Sequence, residues 1–162
     1  MALPGTIPLA TRQGNEIPNS QVPDILPAQA SRVTEQLRID HFGAELRRPP
    51  SGQYNCFGLT FANRRTGISG SDTHSIVVTI LEDDGYRRIS LAQAIPGDLV
   101  IYFNGKEIWH AGLIVEVELN EFFPDGRLAR VISKWGGAGE YIHPTTVGPD
   151  ADKEVTYWTD RP

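Results

Sequence analysis

The chain has 162 residues, 40% of them hydrophobic and 22% charged, with a formal net charge of −5 and one cysteine. That is the size and composition of a single soluble globular domain with a sizeable core. One cysteine excludes an internal disulfide framework and any zinc site built mainly on thiolates, and an acidic balance with no Lys/Arg cluster argues against nucleic acid as a partner.

No apolar run approaches the roughly 20 residues a membrane helix needs, so no membrane partner is expected. The start, Met1-Ala2-Leu3-Pro4-Gly5, has neither the basic residues nor the apolar stretch of a Sec-type signal. The expectation is synthesis in the cytoplasm, with export by another route left open. Residues 1–28 contain Pro4, Pro8, Pro18, Pro23 and Pro27 and no periodicity, which reads as an extended arm, loose or strapped over the domain. Residues 29–162 form the domain proper.

Gln29 to Ile39 reads as a helix with Val33, Leu37 and Phe42 marking an apolar side. His41 to Gln53, with Pro49-Pro50-Ser51-Gly52, reads as loop. A second helix is expected from Asn55 to about Thr66, with Asn55 as N-cap and Gly67 as its stop. Ile76 to Leu81 fits a helix or a strand, and the Ser71-Asp72 start favours helix. From Leu99 the period changes. Leu99–Phe103, Ile108–Val117 and Leu128–Trp135 read as consecutive antiparallel strands, with shorter ones at Tyr141–His143 and Val155–Trp158. Helices followed by strands give an α+β architecture, N-terminal helices packed on one antiparallel sheet.

Cys56, in Tyr54-Asn55-Cys56-Phe57-Gly58-Leu59, opens the second helix. A thiol there faces unpaired amides and the positive end of the dipole, so its pKa is expected below the free value of about 8.5. The same amides can hold an oxyanion, and Gly58 permits close approach of a backbone or of substrate. His110 opens an apolar strand, and Gly112 on the same face leaves room above the ring. Cys56 as nucleophile and His110 as base form a candidate pair, against the plainer reading of a buried cysteine and a core histidine. Trp109, on the other side of its strand, is expected in the core. His41 and His74 read as surface residues, and the pairs Asp83-Asp84 and Asp150 with Asp152 lack the partners of a metal site.

Tyr54-Asn55-Cys56-Phe57-Gly58-Leu59 resembles the aromatic-Asp-Cys-Ser-Gly-Leu motif of the NlpC-type cell-wall peptidases, compact members of the papain-like cysteine peptidase superfamily. Pro96-Gly97-Asp98-Leu99-Val100-Ile101-Tyr102-Phe103 resembles their Pro-Gly-Asp-Leu-Val-Phe-Phe strand, and His110-Ala111-Gly112-Leu113-Ile114-Val115 their His-Val-Gly-Ile-Tyr-Ile strand. The match covers residues 53–135 in order and spacing. It implies a papain-like fold, a cysteine peptidase or amidase acting by acyl transfer through Cys56 and His110, and peptide or peptidoglycan-fragment substrates. No cofactor and no metal is implied.

Asn55 and Phe57 depart from that family's Asp and Ser, which makes the substrate edge greasier and removes a carboxylate that could bind an amine. Tyr54, Asn55, Phe57 and Trp135, the last followed by Gly136-Gly137, are the candidate substrate contacts. Such enzymes carry a polar third residue on the strand after the histidine strand, here Val131-Ile132-Ser133-Lys134-Trp135. Ser133 could accept the ring N–H, whereas a charged Lys134 has no acceptor and would instead favour thiolate or bind a substrate carboxylate. A backbone carbonyl, Glu140 and His143 are further candidates. Two other readings remain: a protein deamidase or acyltransferase using the same pair, and an inactive papain-like binding module. An inhibitor or immunity protein would leave no signature in the sequence.

Overall fold

The computed structural model describes residues 5–162. Most of the start on which the absence of a Sec signal was read lies outside them. The described elements are β1 (Asn19–Ser20), α1 (Pro27–Asp40), β2 (Glu45–Arg48), α2 (Cys56–Ala62), β3 (Gly67–Ile68), α3 (Thr73–Asp83), β4 (Arg87–Ile89), a 3-10 turn at Leu91–Gln93, β5 (Leu99–Asn104), β6 (Glu107–Leu119), β7 (Arg127–Lys134), β8 (Glu140–Pro144) and β9 (Glu154–Thr159). The molecule is α+β. Seven strands make one antiparallel sheet in the order β2-β8-β7-β6-β5-β9-β4, and β1 pairs with β3 in a separate ribbon. No helix among the described residues is long and apolar enough to cross a membrane.

Alternation along β5 and β6 divides the sheet into two differently used faces. Leu99, Ile101 and Ala111 point to one side, where α2 and α3 bury Cys56, Phe57, Ala62, Val77, Ile80 and Leu81 against them. Val100, Tyr102, Ile114, Ala129 and Val131 point to the other and are closed by Ile89, Leu91 and Ala94. Each such aliphatic side chain contributes roughly 1.5–3 kcal/mol when fully buried, so both faces hold the sheet in place.

Two local differences from the sequence reading, at α2 and at Trp109, and the helix favoured over Ile76–Leu81 all have physical causes. α2 ends at Ala62, because Asn63 and Arg64 adopt left-handed φ values of 48° and 65°, and the Arg64 amide closes back on the Gly58 carbonyl. The Ile76–Leu81 stretch is helical, started by Asp72, whose side chain accepts from the Ser75 amide. Trp109 is 53% exposed, not core. The register steps from Tyr102↔His110 to Phe103↔Ile108, so Trp109 is the extra residue of a β-bulge and turns outward.

The arm is strapped on. Ala10 bridges to Glu16, Ile17 enters the core beside the helices, and Thr11 and Arg12 bond to Asp83 and Asp84 at the end of α3. α1, in contrast, buries no residue, and Phe42 is 94% exposed, so the apolar side expected there does not join the core. The Pro96-Gly97-Asp98 corner sets Gly97 at φ 96° and buries Asp98. Asp98 accepts from the Thr159 hydroxyl, the Ile95 amide and the Arg161 guanidinium, which clamps the C-terminal strand.

Candidate active site

The site is built where β6 and β7 part. Their ladder ends at Leu113↔Ile132, while β7 continues against β8 as far as Lys134↔Glu140. α2 seats its first residue, Cys56, beside that opening. Asn55 fixes the entry: its carboxamide oxygen accepts from the Gly58 and Ile68 amides, and its NH2 donates to the Ile68 carbonyl. Asn55 is thereby committed to holding helix and loop together. Gly58 admits the chain itself rather than a ligand, since a Cβ there would stand 1.8 Å from the Thr66 carbonyl oxygen.

The thiol is buried, and burial pushes its pKa up to about 12. The backbone amides of Ala111 and Phe57 pull the other way, and the Asp150 carboxylate adds to the rise. The downward shift expected from a helix start does not materialise. α2 has only seven residues, and its amides do not offset the loss of water around sulfur.

His110 stands on the other side of β6. It pairs in register with Tyr102, and their ring centres are 5.1 Å apart. Its neighbour Ala111 shares the core of Cys56. The ring is almost fully buried, which pushes its pKa down to about 3, with His143 adding to the fall. Nδ1 lies 3.7 Å from Asp150 Oδ2, and Nε2 is buried without a hydrogen-bond partner. Cys56 and His110 therefore approach one strand segment from two sides and are not hydrogen-bonded to each other. The space expected above Gly112 is filled by β7: a Cβ there would meet the Ile132 carbonyl oxygen at 2.7 Å.

Ser133 and Lys134 take opposite faces. Ser133 shares the His110 side but is bonded elsewhere, donating to His143 Nε2 at 2.7 Å and accepting from Trp135 Nε1 at 3.1 Å. His143 Nδ1 donates to the Pro144 carbonyl, which fixes that tautomer. Lys134 lies on the Cys56 side. Its Nζ donates to the Ser51 and Gly136 carbonyls at 2.7 and 2.6 Å and sits 5.1 Å from the Tyr54 ring centre. Burial lowers its pKa to about 8, against the pull of Cys56 and Glu140.

The expected substrate contacts mostly turn inward. Phe57 is buried in the core, and Tyr54 is buried with its hydroxyl on Glu140 at 2.8 Å. Trp135 is stacked on Tyr141, ring centres 4.0 Å apart. Glu140, 1% exposed, is neutralised by Arg64 at 2.7 Å and Arg48 at 3.7 Å, which makes it a structural anion. His41 packs edge-on to Trp135, and His74 Nδ1 accepts from the Ile108 amide. Beside α2 lies a cleft of about 100 Å³ lined by Ser51, Gly52, Tyr54, Asn55, Gly136 and Gly137, and by Ser20 and Val22 of the arm.

Sequence reasoning passed over Asp150 as an approach to His110, and its only signal was an acidic residue in a Gly/Pro/Asp loop. No family model matches the chain, and neither the curated proteins nor the solved structures yield a match.

Proposed function

We propose that the protein is a papain-like, NlpC-type cysteine amidase or peptidase that works by acyl transfer through Cys56, with peptide amides, those of peptidoglycan fragments among them, as the substrate class. The observation that supports this most is the seat of the thiol: the Ala111 and Phe57 amides act on the sulfur at the point where β6 and β7 part, one residue from His110. In this reading His110 takes the thiol proton, and sulfur attacks the substrate carbonyl while the two amides receive the developing oxyanion. The C–N bond then breaks, the imidazolium protonates the departing amine, and water cleaves the thioester to release the acid and restore the thiol. An acyltransferase would replace that water with an amine, and a deamidase would release ammonia in the first half. Lys134, bonded to the carbonyls of Ser51 and Gly136, two residues that line the cleft, supplies a positive charge toward the thiol.

A second reading has its own supporting observation. Sulfur is buried with a raised pKa and His110 Nε2 is not bonded to it, which suits a binding module that keeps the fold without the chemistry.

Iodoacetamide alkylation of Cys56 against pH decides between them. An unpaired thiol with a pKa of about 12 is inert below pH 8. Acyl transfer requires the ring to reach sulfur across the opening between β6 and β7 and to override that burial. The expected result is rapid alkylation below pH 8 that falls at least about tenfold in His110→Ala. A thiol that is inert and indifferent to His110 leaves the binding module.

A further inference from the structure

The loop between β8 and β9 brings Asp150 against two consecutive residues of β6. Its Oδ1 accepts from Trp109 Nε1 at 2.8 Å, and its Oδ2 lies 3.7 Å from His110 Nδ1. Consecutive residues of a regular strand point to opposite faces and could not share one carboxylate. The bulge at Trp109 removes that restriction, and only there does β6 depart from its pairing with β5. Lys153 Nζ, 5.8 Å from the Trp109 ring centre, ties the far end of the same loop to the same indole.

We infer that Asp150 is the positioning residue of His110. At 3.7 Å, beyond hydrogen-bond length, its negative charge favours the proton on Nδ1 and so leaves the lone pair on Nε2. A carboxylate has acceptors only, so the opposite tautomer would set two lone pairs against each other at a buried site. Nε2, buried and unpartnered, is the nitrogen left free for chemistry. The other groups facing the ring cannot take this role. Tyr102 offers its ring, its hydroxyl having no partner, and His143 is occupied by Ser133 and the Pro144 carbonyl. The NlpC-type resemblance put the third group on β7, at Ser133 or Lys134; the geometry moves it to a loop beyond β8. The tautomer itself is independent of the acyl-transfer reading, while its catalytic meaning rests on that reading.

The test is the imidazole tautomer of His110, read from long-range nitrogen–proton NMR correlations of 15N-labelled protein, with the four histidines assigned by substitution. Wild type is expected as the Nδ1–H form. Asp150→Ala should shift His110 to mainly Nε2–H, and Asp150→Asn, whose carboxamide oxygen still accepts, should keep Nδ1–H. Unchanged His74 and His143 signals would show that the fold survives. An Nε2–H ring in wild type, or a tautomer indifferent to Asp150→Ala, overturns the inference. Alkylation of Cys56 separates the two proposals. If the thiol is inert in wild type, acyl transfer fails while the tautomer still decides Asp150. If it is reactive, Asp150→Ala should slow it in wild type and cause no further loss in His110→Ala, where removing the carboxylate only lifts its repulsion of the thiolate. A further loss in that double variant would also overturn the inference.

Discussion

At the scale of single residues, the candidate side chains could be picked out by residue type and position, and their surroundings could not. Cys56 stands out in the sequence because it opens a helix and His110 because it leads an apolar run, and the structure sets them on two sides of one short stretch of β6. Asp150 was invisible because it depends on a one-residue bulge, which leaves no mark in a run as apolar as Ile108-Trp109-His110-Ala111. Tyr54 and Phe57 flank the thiol in the sequence, yet both turn into the interior, since the helix start is pressed against the sheet. Gly58 shows how tight that contact is. It was read as room for substrate or backbone, and the backbone of Thr66 takes all of it. A methyl group 1.8 Å from a carbonyl oxygen cannot be accommodated by rotating a side chain, so α2 or the β3 segment must move. Gly58→Ala is therefore expected to cost about 3 kcal/mol, the upper end of overpacking, read from urea denaturation with an unchanged m-value. A loss under 0.5 kcal/mol would mean that the α2–β3 contact is looser than described.

Elements were readable to the extent that their own periodicity carried them. The strands β5 to β9 were expected within a residue or two, because Val, Ile and aromatics alternate there and Asn104-Gly105 marks a turn. β2 and β4 were missed. Glu45-Leu46-Arg47-Arg48 and Arg87-Arg88-Ile89 carry no alternating apolar pattern, and they are strands only because β8 and β9 offer open edges to pair with. Their arginines suit the two outer positions of the sheet. One of them also joins a buried ionic cluster, in which Arg64, from the turn after α2, and Arg48 of β2 neutralise Glu140 of β8. Arg64 Nε is 2.7 Å from a carboxylate that is 1% exposed, so removing Arg64 strands a buried charge. Arg64→Ala should cost about 3 kcal/mol, the low end for such losses because Arg48 remains and Arg64 is itself partly exposed. Adding Glu140→Gln should recover a large part of it by removing the charge, measured as the coupling in a double-variant cycle. Additive losses would show that Arg64 acts by packing alone.

Over the whole molecule, one sheet carries two unlike jobs. The α2/α3 side holds the thiol, and the other side holds a run of buried polar groups, Tyr102, His110, Ser133, Tyr141 and His143, under the β8–β9 loop. The arm wraps the first side and the Asp98–Arg161 clamp fastens the last strand, so the chain's described ends are both tied to the sheet. Enclosing an imidazole this completely makes the fold sensitive to acid. Burial first, and His143 second, lower the His110 pKa to about 3, whereas an unfolded histidine titrates near 6.5. Between those values the unfolded chain binds the extra proton, so stability is full above about pH 6.5 and falls as the pH drops toward 3. The slope approaches roughly 1.4 kcal/mol per pH unit for one such group. His143, also lowered by burial, adds loss of the same sign. Asp98 does as well at lower pH: burial raises its pKa, but Arg161, Thr159 and the Ile95 amide outweigh this and leave it lowered overall. Total acid sensitivity is therefore shared, and the share of His110 is the difference between two proteins. In His110→Phe, which keeps an aromatic ring in the site, the unfolding free energy from urea titrations should fall less steeply than wild type between pH 6.5 and 4.5, by close to one proton. Parallel curves would mean that the ring is reached by water and protonates in the native state, and that the enclosed polar face opens readily to solvent.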